Sequence, residues 1–210
     1  MLYKEIVCLA NSYKNDPGRC VAGKDIKDRK WVRPVSASPR GELFKEQMAF
    51  SNGEIPQPLD IIKIPFDSAK STVCQPENIL IGGGKWQKIG VFPKSRLIEL
   101  CDAPQTIWFN SGGNNDRIPV EYFQNAKIES SLYLIKPKSM KIVQAKKARA
   151  IFQHKSVEYN LVITDPIVKA EFNKKGSGTY DLSEKELYLC LSLAEAFQGF
   201  CYKLVAAIIQ

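Results

Sequence analysis

The 210-residue sequence predicts a mainly β fold with a few short helices. Three observations carry the prediction. Short apolar runs rich in β-branched residues recur along the chain. Clusters of Gly, Pro, Asn and Asp punctuate them. Few segments leave room for a helix beyond three turns. Many short strands separated by such turns build barrels or sandwiches. Hydrophobic residues make 44% of the chain and charged residues 25%, an ordinary balance for a folded domain that needs no disulfide to close its core.

In chain order, Ile6–Ala10 is the first apolar strand, and NSYKNDPG after it has loop chemistry. A hairpin follows, with Arg19–Ile26 as one arm, a polar turn at Lys27–Arg29 and Lys30–Val35 as the return. Glu42–Phe50 has the spacing of a short helix. LDIIKIPF at Leu59–Phe66 is the clearest strand of the first half, and Gln75–Ile81 reads as loop then strand. The glycines Gly82–Gly84 suit a tight hairpin. No Lys-Ser/Thr pair follows them, so they do not form a phosphate loop. Lys85–Phe92 is strand-like, with Trp86 and Lys88 on one face if extended, and Arg96–Cys101 suits a short helix.

Ala103–Arg117, with Pro104 and NSGGNNDR, marks a domain boundary near residue 105. Beyond it, Leu132–Ile135 is a strand. Lys136–Lys155 carries seven basic residues and no acid, and its interleaved apolar residues predict two strands and a turn. Tyr159–Thr164 is a strand ending at Asp165-Pro166, and Ile167–Phe172 a helical turn. Leu187–Leu193 and Tyr202–Ile209 are closing strands joined by AEAFQG.

The net charge is +8, from 30 Lys and Arg against 22 Asp and Glu, which favours anionic partners. The densest basic-aromatic stretch is the opening hairpin. Arg19, Lys24, Lys27, Arg29, Lys30 and Arg33 surround Trp31 there, opposed by Asp25 and Asp28. Strand alternation puts Trp31, Arg33 and Val35 on one face. A ring and a guanidinium so placed stack a base and neutralise a phosphate. The competing reading makes Trp31 a core residue and the charges a solvated rim. Trp86 and Lys88 repeat the pairing, while Trp108, between Ile107 and Phe109, reads as core. The Lys136–Lys155 tract is either a nonspecific phosphate track or a solvated basic face. Lys203 is a lone charge in an apolar strand, on an open edge or reaching into a polar site.

Catalytic and metal chemistry find little footing. His154 is the only histidine, with no motif around it for a nucleophilic triad. The carboxylates Asp60, Asp67, Asp165 and Glu195 are scattered, and Asp165 before Pro166 reads first as a turn residue bonding backbone. The six cysteines form no Cys-x-x-Cys pair, so no structural zinc is expected; reduced core thiols in the cytosol fit instead. No cofactor is expected. Lys4 and Glu5 close behind Met1 argue against a signal peptide, and LVAAII is too short to span a membrane.

IVCLANSYKNDPGRCVAGKDI with KWVRPVS, then LDIIKIPF and QPEN, resemble the opening half of the dual OB-containing domain family. ITDP and LCLSLAEAFQGFCYKLVAAII resemble its closing half. The resemblance runs from residue 5 to 209 and is loosest from about 82 to 160. It implies two tandem OB-like β-barrels, residues 1–105 and 106–210, with the last strand able to pack back on the first barrel. It implies a bacterial protein that binds nucleic acid, in defence or DNA processing, and supplies no catalytic residues. It also favours the polar-site reading of Lys203. The function expected is therefore non-catalytic nucleic-acid binding, preferring single strands, with no membrane partner. The residues expected to carry it are Arg19, Lys24, Lys30, Trp31 and Arg33, then Trp86, Lys88 and Lys203. Two alternatives stand beside it: a nucleotide or small-molecule sensor with Lys203 or Asp165 in a closed pocket, and a scaffold for a protein partner.

Overall fold

The computed structural model describes residues 2–15, 17–110 and 115–210. Asp16 of the NDPG loop and residues 111–114 of the NSGGNNDR tract lie outside the described residues. The chain forms two compact units, one of Met1–Thr72 with Pro76–Leu100, the other of Val73–Gln75 with Cys101–Gln210.

In the first unit β1 (Leu2–Asn15), β2 (Gly18–Asp25) and β3 (Trp31–Val35) form a meander. A short helix, α1 (Lys45–Met48), precedes β4 (Asp60–Ala69) and β5 (Asn78–Ile81). The strands run in the order β1-β2-β3-β5-β4, and β4 pairs back onto β1, which closes a barrel. The β3–β5 pair is parallel. Closure works because β1 is long enough to serve two partners, pairing β2 from Ile6 to Asn15 and β4 from Leu2 to Val7. Ile62 and Ile64 of β4 point inward against Ile6, Cys8 and Val21, the period-two pattern that LDIIKIPF displays.

The glycine turn differs from expectation. β6 (Gln87–Val91) does not pair with β5. Both lie along the same edge of β4, β5 opposite Phe66–Ala69 and β6 opposite Asp60–Lys63. Gly82–Gly84 is thus an excursion between two collinear segments, and Gly84 takes a φ of +115°, which side chains disfavour. A 3-10 segment, Lys94–Leu100, ends the unit and anchors it with Leu97 and Leu100.

The second unit repeats the plan with one strand broken. After β7 (Arg117–Pro119) and a helical turn, α2 (Tyr122–Asn125), come β8 (Leu132–Ile135), β9 (Ser139–Gln144), β10 (Arg149–His154) and β11 (Val157–Ile163). Helix α3 (Pro166–Lys175), β12 (Gly178–Asp181), β13 (Tyr188–Phe197) and β14 (Phe200–Ile209) complete it. The path is β9-β10-β11-β14-β13-β8, with β11 and β14 parallel. Taken as two halves of one strand, β8 and β9 reproduce the ring of the first unit. Pro137, which has no N–H to donate, falls at the break. β12 adds to the edge of β9, and β7 to β14. The AEAF segment, expected in a loop, belongs to β13. The β13–β14 turn is only Gln198-Gly199, with φ of 50° and 81°. The strand partners of β14 are β13, β11 and β7.

Asp165 caps α3. Its Oδ1 accepts from the amides of Ile167 (2.9 Å) and Val168 (3.2 Å), and its Oδ2 from the amide of Ile208 (3.0 Å). One buried carboxylate thus ties the helix start to the last strand. Asp165→Ala strands three amides and is expected to lower stability by about 2–4 kcal/mol. Asp165→Asn, which keeps one acceptor oxygen, restores part of that loss. Urea denaturation of both variants checks this.

Candidate nucleic-acid interface

The opening hairpin forms as the sequence predicts, but its side chains are placed differently. Trp31 is 9% exposed, and Lys24, itself buried, holds its ammonium 5.1 Å from the Trp31 ring centroid. Arg33 is also buried. Its Nε lies 3.1 Å from Oε1 of Glu77, on the connection between β4 and β5, and both side chains are under 5% exposed. The expected face of ring and guanidinium is therefore closed to water, although it is the side of β3 opposite Val32, which packs in the first core. Lys30, at the hairpin tip, is exposed, with its Nζ 3.7 Å from Asp28. Arg19 is half-buried, its guanidinium 4.2 Å over the Tyr13 ring.

Trp86 and Lys88 do not share a face. Trp86 precedes β6 and fills the first core at 1% exposure, a correction to its candidacy as a stacking platform. Trp86 lies outside β6, which begins at Gln87, so the strand alternation that expected it beside Lys88 does not reach it. Lys88 is exposed and meets Asp60 Oδ1 at 2.6 Å, and that hydrogen bond raises the lysine pKa. Trp108 is core, as expected, with Nε1 donating to Ser130 O at 2.8 Å.

The second unit turns basic and aromatic groups outward together. Register puts Arg149 opposite Val162, and Val162 beside Leu204, so all three share one face. Alternation extends that row along β14 to Phe200 and Tyr202, and Arg117 on β7 faces Tyr202. The Arg117 guanidinium lies 5.2 Å from the Phe200 ring and 5.6 Å from the Tyr202 ring. Asp116 holds the two arginines in place, with Oδ1 at 3.1 Å from Arg117 and Oδ2 at 3.6 Å from Arg149. Arg149 also donates to Asn160 Oδ1 at 2.7 Å and to its carbonyl at 2.6 Å. Around this row, Lys141 lies across from Ile151, the β9–β10 connection exposes Lys146 and Lys147, and Phe197 beside the β13–β14 turn is 63% exposed. The acids Asp116 and Glu158 belong to the same face.

Arg117, Phe197, Phe200 and Tyr202 escaped the sequence reading. The available signal was GFCYK, in which Phe and Tyr alternate with Cys and Lys as a strand with two unlike faces requires. The Lys136–Lys155 tract does form two strands and a turn, β9 and β10.

Lys203 belongs to the opposite, inner face of β14 and is 1% exposed. Its Nζ donates to Phe109 O (2.8 Å) and Asn110 Oδ1 (2.7 Å) and lies 5.5 Å from the Tyr159 ring centroid. The Tyr159 hydroxyl accepts from the Ile107 amide and from Asn110 Nδ2. Burial pulls the Lys203 pKa down to about 7, against a smaller opposing pull from Asp116. A cleft of about 530 Å³ in the first unit, between Glu46 and Gln47 of α1 and Gly82–Lys85, includes neither Lys203 nor Asp165.

His154 is buried with Nε2 2.9 Å from Pro104 O. Among the described residues no three His, Cys, Asp or Glu side chains group as metal ligands, and no helix is long and apolar enough to cross a membrane.

Each unit closes a β1-β2-β3-β5-β4 type of ring with a parallel third-to-fifth pair and a helix after the third strand, the architecture of an OB barrel. The molecule is a double OB-barrel protein. The chain belongs to the dual OB-containing domain family, whose sequence profile matches residues 4–208. No curated protein matches it.

Proposed function

We propose that the chain is a non-catalytic nucleic-acid-binding protein that prefers single strands and engages them on the β10–β11–β14 face of the second unit. The observation that carries this reading is Arg117 lying over both the Phe200 and Tyr202 rings, with Arg149 alongside. OB barrels commonly bind oligonucleotides across their second and third strands and the loops at either side. In this unit those are β10, β11, the Lys146-Lys147 connection and the β13–β14 turn. The rings offer stacking faces that suit any base, and the flanking cations meet phosphates. Single strands fit better than duplex because stacking requires unpaired bases. Of the residues singled out from the sequence, Arg19, Lys30 and Lys88 keep access to solvent and join the proposal as phosphate contacts of the first unit. Trp31, Lys24, Arg33 and Trp86 are assigned to the stability of the first unit and Lys203 to that of the second.

Fluorescence anisotropy with labelled 20-mer single-stranded DNA, single-stranded RNA and duplex DNA tests this. About four phosphate contacts predict a roughly 50-fold loss of single-strand affinity between 50 and 200 mM salt. Phe200→Ala with Tyr202→Ala is expected to weaken binding at least tenfold, since each stacked base contributes about 1–3 kcal/mol. Equal binding by the double variant, or none by the native chain at micromolar protein, overturns the reading.

A further inference from the structure

Cys74 and Cys201 stand 127 positions apart in the chain, and their thiols meet at 3.4 Å. Both are free. They sit on supports of very different stiffness. Cys201 lies on β14, which is paired by β13 on one side and by β7 on the other, and the residue is fully buried. Cys74 lies in the non-strand segment Val73–Gln75, which the β4–β5 connection contributes to the second unit. Its neighbours treat that segment differently. Gln75, at 1% exposure, donates from Nε2 to Leu193 O and fixes one end, while Val73 is 64% exposed and opens the other end to solvent.

We propose that Cys74 and Cys201 are a reversible dithiol site that a peroxide oxidises to an intramolecular disulfide. A disulfide needs the sulfurs at about 2.05 Å, so roughly 1.4 Å of approach is required. The irregular segment at Cys74 can supply it while the laddered strand at Cys201 stays in place. The half-buried Cys74 is the sulfur an oxidant reaches. The Cys201 S–H donates to the Cys74 sulfur, and the nucleophile is the thiolate form of Cys74. That thiolate attacks one peroxide oxygen, the O–O bond breaks and hydroxide leaves, giving the sulfenic acid at Cys74. The Cys201 sulfur then attacks the Cys74 sulfur. The S–S bond forms, the S–O bond breaks, and the departing hydroxide takes the Cys201 proton as water. Two thiols are oxidised, one peroxide is reduced, and two waters result. Burial pushes the Cys201 thiol up to about 12, so Cys201 is not the sulfur that attacks the peroxide.

The dithiol chemistry does not rest on the proposed nucleic-acid binding, and its test uses the full chain alone. Purified protein is treated with hydrogen peroxide, alkylated, digested and read by mass spectrometry, with melting followed in parallel. The expected product is a monomer in which the Cys74 and Cys201 peptides are joined. Dithiothreitol reverses the bond. The oxidised protein melts about 5–15 °C higher, because a long loop is closed in the unfolded chain. Cys74→Ser, at a half-buried position that leaves β14 intact, is expected to show neither the joined peptide nor the shift. The proposal is overturned by sulfinic acid at Cys74 with Cys201 still reduced, by a disulfide between other cysteines, or by the same melting shift in Cys74→Ser.

Discussion

Replacing Arg33 with alanine is expected to destabilise the first unit by about 3–5 kcal/mol and to leave single-strand affinity unchanged. Arg33 and Glu77 form an ion pair in which both side chains are under 5% exposed, at 3.1 Å. The arginine amide also donates to the Glu77 carbonyl at 3.1 Å, so the pair fastens β3 to the approach of β5. Removing the cation leaves a carboxylate in a site closed to water, and the cost of that stranded charge exceeds what the pair itself contributes. Adding Glu77→Gln to the alanine variant removes the stranded charge and is expected to recover about 1–3 kcal/mol. Denaturation of the two single variants and the double gives the coupling, and anisotropy on the same proteins gives the affinity. Lost affinity at native stability would return Arg33 to the binding surface where strand alternation first placed it.

The second large effect is a pH dependence centred on Lys203. Its pKa falls to about 7 in the folded protein because burial disfavours the ammonium, while the unfolded chain restores the ordinary value of 10.5. Below pH 7 both states hold the proton, and the full penalty of burying the charge is present. As pH rises above 7, the folded state sheds the proton while the unfolded state keeps it. The unfolded state then binds more protons, so stability rises with pH by at most about 1.4 kcal/mol per unit. Lys203→Met lacks the group and therefore the slope. The difference between native and variant stability is expected to move in favour of the native protein by about 2 kcal/mol from pH 7 to 9. Chemical denaturation of both proteins at pH 7, 8 and 9 measures it. Parallel curves would mean that Lys203 keeps its proton throughout, held by Phe109 O and Asn110 Oδ1.

The fold was legible because its signals are local. LDIIKIPF alternates as a half-buried strand must, the 136–155 tract interleaves apolar residues at strand spacing, and Asp165-Pro166 marks a strand end with a carboxylate suited to bonding backbone. The glycine triplet misled because glycine reports only that the backbone must bend. Whether β5 and β6 then pair with each other or queue along β4 depends on β4, about twenty residues away in sequence.

The site was less legible for a related reason. Basic and aromatic residues close in sequence mark the opening hairpin, but Arg33 meets a glutamate 44 positions away and Trp31 meets Lys24 on a face that is buried. In the second unit the residues that gather are scattered in sequence. Arg117, Arg149 and Tyr202 come from three strands that only the parallel β11–β14 pairing and the β7 addition bring to one face.

By itself the sequence determined the strand content, the turn positions, the basic character and the family pattern, since each is a property of residues near one another or of composition. Tertiary structure alone decided which charges are internal and which face water. It set Lys203 inside the barrel and Tyr202, one residue before it, outside, and it brought Cys74 to Cys201. Burial and pairing depend on which distant strand arrives alongside, and strand register is a property of the closed barrel as a whole.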